Sequence, residues 1–263
     1  MLDLAAFMDS LRCLNCSGDL ELDQEVGELK CMRCSISYPI REGIPIFLPA
    51  DVDFSTWEEY AAESGTTSFP HEILNRFCGK KILDVGCGNG KHLAGLKDKE
   101  LKVGLEVSLK RLQEGLKNFP DIYFLLASAY RIPLKDRTVD TVIMIDVIEH
   151  LDDPSQALKE VVRVLDVGGR LVLQTPNYPI KRLYDFINYL RGSRRSFKDD
   201  PTHVSKFTWT KIRNLISKFF VIEEISTRNV LGERRVISLQ KIKNKSLGLL
   251  FGQKTIIIAQ KIQ

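Results

Sequence analysis

From residue 80 onward, apolar runs of strand length alternate with amphipathic runs of helix length. Strands are predicted at residues 82–85, 102–107, 122–126, 139–145 and 170–174. Alternation of this kind implies a parallel sheet with helices on both faces. One helix is well marked by its spacing. Asp153 can cap it, Pro154 suits its first turn, and Leu158, Val161, Val162 and Leu165 form its apolar stripe. Gly168 and Gly169 are expected to end it.

The first fifty residues follow another pattern: short apolar stretches between turn residues, closing on the strand-like exit 38–48 with turn punctuation at Pro39 and Gly43. Residues 51–69 are polar with a few aromatics, Trp57 and Tyr60 among them, and read as a connecting helix and loop in which the two rings pack against the core. The expected organisation is therefore a small domain at 1–50, a linker at 51–69 and an α/β domain at 70–263. A chain of 263 residues suits one full domain with an appendage.

Composition excludes several classes. With 44% hydrophobic and 27% charged residues the chain is ordinary globular material, far from a disordered polyelectrolyte. No apolar run approaches the roughly 18 to 20 residues of a membrane span, and Asp3 and Asp9 stand where a secretory leader would carry lysines, so a cytoplasmic protein is expected. The net charge of +4 is mild but uneven. Lys181, Arg182, Arg191, Arg194, Arg195 and Lys198 cluster around a single acid, Asp185, and Arg234, Arg235, Lys241, Lys243 and Lys245 follow. A solvated face is preferred over a phosphate-binding surface, because no aromatics interleave with the charges.

Cys13, Cys16, Cys31 and Cys34 are spaced C-x2-C-x14-C-x2-C. Each pair can present two sulfurs from one knuckle, and four thiolates suit tetrahedral Zn2+. Two disulfides are the alternative, disfavoured among reduced thiols. With every position filled by protein, the zinc would be structural and not catalytic. Its removal is expected to unfold the first fifty residues while sparing cofactor binding. The cysteine pairs followed by Tyr38-Pro39-Ile40 and Gly43-Ile44-Pro45 resemble the small zinc-ribbon proteins that partner tRNA, rRNA and protein methyltransferases, over about residues 4–50. This resemblance implies a protein partner contacted through the ribbon.

The first predicted α/β strand runs into Gly86-Cys87-Gly88-Asn89-Gly90, where small residues let the backbone approach a ligand ahead of the next helix. The spacing is G-x-G-x-G, unlike the dinucleotide fingerprint, and Asp84 ends the strand. The second strand ends at Glu106, whose carboxylate can accept from both hydroxyls of a ribose. Together these residues resemble the class I S-adenosylmethionine-dependent methyltransferases, over residues 70–263. The resemblance implies a Rossmann-like seven-stranded sheet closed by an antiparallel hairpin, here 219–226 with 255–260, lengthened by an insertion at 228–252. It implies that Gly86, Cys87, Gly88 and Gly90 approach the methionine part of S-adenosyl-L-methionine, with Asp84 near its amino group. Ser128 and Ala129 would contact the adenine, with serine standing where many relatives carry an aspartate. Asp146 and Val147 would border the cofactor, in a segment resembling the subgroup that modifies quinones, sterols and sugars.

A methyl sulfonium is already activated, so the protein must align the acceptor and, where that is protonated, remove a proton. His150, after the fourth strand, and His203, ahead of a predicted helix, are the candidate catalytic bases. His71 and His92 are expected in helices and receive no chemical role. The fourth motif is not of the Asn-Pro-Pro-Tyr type, and Cys78 and Cys87 are badly placed as nucleophiles for C5 methylation. The leading expectation is methyl transfer to a small molecule, at oxygen. An rRNA or tRNA base methyltransferase of guanine N1 type, with the ribbon aiding RNA binding, is the first alternative. A non-catalytic cofactor-binding adaptor is the second.

Overall fold

The computed structural model describes residues 4–48, 69–178, 180–190, 202–228, 236–237 and 252–262. The chain opens with α1 (Leu4–Phe7) and a four-stranded antiparallel sheet, β1 (Leu20–Asp23), β2 (Glu28–Cys31), β3 (Ser37–Arg41) and β4 (Ile44–Pro45). Arg41 pairs with Ile44 across a two-residue turn. Both turn residues, Glu42 (φ 51°) and Gly43 (φ 82°), are left-handed, the geometry that matches strand twist in a tight hairpin. Gly43 thus makes the predicted turn, whereas Pro39 lies inside β3.

The larger part comprises α2 (His71–Phe77), β5 (Lys81–Val85), α3 (Lys91–Ala94), β6 (Leu101–Glu106), α4 (Leu109–Asn118), β7 (Tyr123–Leu126), β8 (Val139–Ile145), α5 (Pro154–Val164), β9 (Leu165–Pro176), α6 (Ile180–Leu190), α7 (Trp209–Ile216), β10 (Phe220–Arg228), β11 (Val236–Ile237) and β12 (Lys254–Lys261). Seven strands run in the order β10-β12-β9-β8-β5-β6-β7, and the two-residue β11 adds to β10. Strands β5 to β9 are mutually parallel, while β12 pairs antiparallel with both β9 and β10. This is the parallel sheet that the alternation predicts, with the Rossmann-like order and closing hairpin that the family resemblance implies.

One boundary differs. Helix α5 is capped by Asp153, whose side chain accepts from Ser155 N and Gln156 N, but it ends at Val164, and β9 begins at Leu165. Register against β8 jumps from Leu165 to Arg170, so Gly168 (φ 72°) and Gly169 form an irregularity at the start of the strand and do not stop the helix. The predicted linker helix with Trp57 and Tyr60, most of the 228–252 insertion, and the basic residues from Arg191 to Lys198 and from Arg234 to Lys245 lie outside the described residues.

The small sheet docks against the β7 edge of the large one. Ile46 bridges Leu126 in parallel, with Phe47 N donating to Leu126 O at 2.8 Å, and Leu11 bridges Leu134. Phe7 stacks on Tyr123 with ring centroids 4.3 Å apart. Phe7, Leu11, Leu29, Tyr38 and Phe47 belong to the same buried cluster as Leu83, Val103, Leu125 and Leu134 of the large sheet. Arg12 reaches Asp136 at 3.6 Å and Glu160 at 3.7 Å, tying the ribbon to α5.

Candidate functional site

At the N-terminal end, the four thiols of Cys13, Cys16, Cys31 and Cys34 lie within 4.8 Å of one another, and none is in a disulfide. Backbone N–H groups of Asn15 and Arg33 point at the sulfurs of Cys13 and Cys31, each at 3.4 Å, as suits thiolates. Tyr38 Oη, 3.3 Å from Cys13 Sγ, also accepts from Leu14 N and so braces the first knuckle. Four converging sulfurs with this support fit a structural zinc ion.

The second site forms where β5, β6 and β8 end. Parallel open sheets bind ligands at this carboxyl edge, beside the strand where the order reverses, here between β5 and β8. Gly86 (φ 71°), Gly88 (φ 56°) and Gly90 (φ 80°) are all left-handed. At Gly86 there is also no room, since a Cβ would stand 2.3 Å from Val147 Cγ2. The turn therefore requires glycine on two counts. Val147 packs directly on the loop, and Cys87 is buried behind it.

Glu106 closes onto the same loop. Its Oε2 accepts from Gly88 N at 2.9 Å and its Oε1 from Val107 N at 2.7 Å. Asp84 is 1% exposed, and its Oδ2 has no hydrogen-bond partner, although His92 Nδ1 lies 3.8 Å away. Burial, and secondarily the charge of Glu106, hold this carboxyl well above the usual aspartate range. An orphaned buried carboxyl beside a backbone cradle suits a ligand carrying an ammonium group, so the residues fit S-adenosyl-L-methionine. Ser128 and the buried Ala129 follow β7, and Ser128 Oγ accepts from Tyr130 N.

The fold brings His150 and His203 together, with ring centroids 4.7 Å apart. His150 ends a short 3-10 turn, Ile148–His150, that follows β8. Its Nδ1 lies 2.9 Å from Thr202 Oγ1, and His203 Nδ1 lies 2.7 Å from Tyr178 Oη. Both rings are thereby oriented. Asp146 (φ 53°) is left-handed, and its carboxylate is engaged by Lys254 of β12 and by Gln174 of β9. It thus tethers the closing hairpin to the end of β8.

Glu149 went without a role in the sequence. Its side chain is 1% exposed; Oε2 accepts from Thr175 Oγ1 at 3.0 Å, and Oε1 has no hydrogen-bond partner. Burial, reinforced by Asp146, pushes its carboxyl up to about 8. Glu149, His150 and His203 offer ligand atoms within 4.8 Å of one another. The signal available in the sequence was the run Asp146-Val147-Ile148-Glu149-His150, which sets two acids and a histidine within a single turn.

Sheet order, glycine loop and strand-end acid together define the class I methyltransferase fold. Comparison with known proteins agrees: residues 83–173 match the family described as Methyltransferase domain, and residues 6–43 match the Trm112p-like protein family. The chain thus carries a Trm112p-like segment at 6–43 and a methyltransferase-type domain at 83–173. Among curated relatives, a demethylmenaquinone methyltransferase of Renibacterium salmoninarum is 33% identical over 38% of this chain and 43% of its own length. Methyltransferase GfsG of Streptomyces halstedii is 36% identical over 43% and 44%. The chain spans between 33% and 48% of the length of the curated relatives it matches. Among solved structures, a chain from the complex of the Haloferax volcanii Trm112 methyltransferase activator with a candidate methyltransferase is similar in fold, with a TM-score of 0.56 and 15% identity. That similarity covers 79% of this chain and 98% of the other. Among the described residues no helix is long and apolar enough to cross a membrane.

Proposed function

We propose that the chain transfers a methyl group from S-adenosyl-L-methionine to a small-molecule acceptor, at oxygen. The observation that carries this reading is the pairing of the Asp84, glycine-loop and Glu106 cradle with an oriented polar cluster, Glu149, His150 and His203, at the ends of neighbouring strands. When bound, the cofactor supplies an activated methyl group. Asp84 is assigned to its ammonium, the loop N–H groups to its carboxylate, Glu106 to its ribose, and Ser128 and Ala129 to its adenine. Val147 packs the loop from the other side. His150 and His203 are assigned to the acceptor hydroxyl, whose proton must leave as the new bond forms. The relative named as a demethylmenaquinone methyltransferase supports a small acceptor.

The ribbon is proposed to act within the chain. Ile46, just past β4, bridges Leu126 of β7, and this edge contact joins the ribbon to the larger domain beside the segment that carries Ser128 and Ala129. The similar Haloferax structure is described as a complex of separate activator and methyltransferase proteins. Here both parts share one chain.

The test is transfer of labelled methyl into two pools, a lipid-plus-metabolite extract and total small RNA, at low and moderate salt. Label in the extract is expected. Salt-sensitive label confined to RNA would replace this reading with the base methyltransferase, and cofactor binding without label in either pool would leave the adaptor.

A further inference from the structure

We propose that Glu149, His150 and His203 form a binding site for a divalent first-row cation, separate from the zinc ribbon, that holds and acidifies the acceptor hydroxyl. The inference deepens the reading above and rests on it. Three residues converge from separate parts of the chain, with ligand atoms within 4.8 Å of one another. Glu149 and His150 come from the turn after β8, and His203 from the segment ahead of α7. That segment is fastened to the turn, since Ser205 N donates to Glu149 O at 2.9 Å and Ser205 Oγ to Leu151 O at 2.8 Å.

Each ligand is held from behind. Thr202 fixes His150 through Nδ1, Tyr178 fixes His203 through Nδ1, and Thr175 holds Glu149 Oε2. Engaging Nδ1 of a histidine directs coordination through Nε2, and such supporting contacts are the usual companions of metal-binding imidazoles. The remaining Glu149 oxygen is buried and lacks a hydrogen-bond partner, a condition that costs about 1 to 3 kcal/mol or more unless something satisfies it. A cation does so. Lys254 does not, because it pairs with the neighbouring Asp146.

Two imidazoles and one carboxylate suit manganese, iron, cobalt or zinc better than magnesium or calcium, which prefer all-oxygen sites. Three protein ligands leave coordination positions for an acceptor, best filled by an oxygen chelate such as a vicinal diol or a hydroxyl beside a carbonyl. The cation lowers the hydroxyl pKa, and the proton leaves to water. The oxygen lone pair then forms the new O–C bond while the S–C pair stays on sulfur, and the cation keeps its oxidation state. The two imidazoles then act through the metal and not as proton acceptors.

The experiment is a Mn2+ titration of the zinc-loaded full chain followed by electron paramagnetic resonance, because thiolate sites discriminate against Mn2+. One equivalent bound, with 14N coupling from imidazole, is expected. Glu149→Gln and His203→Ala should each weaken binding at least tenfold, and the latter should remove part of the coupling. A wild-type chain that binds no Mn2+, or variants that bind it as the wild type does, would overturn the site. Labelled methyl transfer at full rate without any cation beyond the ribbon zinc would remove the proposed role while the methyltransferase reading stands. Site-specific Mn2+ binding without labelled product in any pool would support the site and remove that reading.

Discussion

Asp84 and Glu106 are both acids at strand ends, yet the fold surrounds them differently. Glu106 accepts three backbone N–H bonds, from Gly88, Val107 and Ser108. Asp84 Oδ2 is buried with no hydrogen-bond partner, so its carboxyl keeps a proton well above the usual aspartate range. A raised acid favours the neutral form, so this group's contribution to the stability of the free protein is fully present below pH about 4 and is lost as pH rises through the raised value. A ligand ammonium reverses this preference, so binding of S-adenosyl-L-methionine should release a proton. The expected observation is a calorimetric enthalpy that differs between phosphate and Tris, a difference that Asp84→Asn abolishes; equal enthalpies in the two buffers would refute the assignment. Glu106→Ala should weaken cofactor binding by about tenfold or more, the worth of a hydrogen bond to a charged group. Unchanged affinity would remove Glu106 from the ribose. The strand-end positions of both residues were legible in the apolar runs 82–85 and 102–107, while the part assigned to Asp84 came from the family resemblance. Glu149 was not legible, because its partnerless oxygen arises from Thr175, Asp146 and the 202–205 segment closing around it, and no local pattern encodes that closure.

At the scale of elements, alternation of apolar runs gave four of the five strands of the parallel sheet to within one residue, since a strand buried on both faces must be apolar along its length. It misplaced the junction of α5 and β9. The apolar stripe continues through Leu165 in helical register, so spacing alone cannot tell the last helical residue from the first strand residue, and what decides is pairing of Leu165 with Val139. The start of α5 was legible because its cap is local. Asp153 accepts two backbone N–H bonds at 3.1 Å, so Asp153→Ala should cost about 1 kcal/mol and lower the melting temperature by about 2 to 4 °C, with cofactor affinity unaltered. No change in melting would mean that another group satisfies those donors. Gly86→Ala should do the reverse. Its Cβ meets Val147 Cγ2 on a left-handed backbone, so the loop itself must shift, and cofactor affinity should fall further than stability. Equal binding by the Gly86→Ala chain would show that the cradle tolerates a side chain.

Two domains joined by a linker were the natural reading of the whole chain, because the C-x2-C pairs and the glycine loop each announce a separate unit. What the sequence hides is that the two share a core. Phe47 and Ile46 extend the sheet past β7, Phe7 stacks on Tyr123, and Arg12 stands between Asp136 and Glu160, which Arg163 also engages. The contacts between the ribbon and the larger part join residues more than seventy positions apart, and no periodicity within either segment foretells them. The shared core also changes what metal removal should do. If the ribbon were independent, chelation would unfold it and leave cofactor binding intact. Because Leu29, Tyr38 and Phe47 lie in the cluster that includes Leu125 and Leu134, loss of the zinc uncovers the β7 edge and the apolar surface behind it. Uncovered strand edges invite pairing with other chains. Cys13→Ser, or a chelator, is therefore expected to lower the melting temperature of the whole molecule in a single transition, to promote aggregation, and to weaken cofactor binding through the 128–130 segment that follows β7. Two separate transitions, with cofactor affinity retained after the first, would mean that the ribbon only decorates the edge. A single transition would make the zinc ion, tens of residues away in sequence, part of what shapes the adenine end of the site.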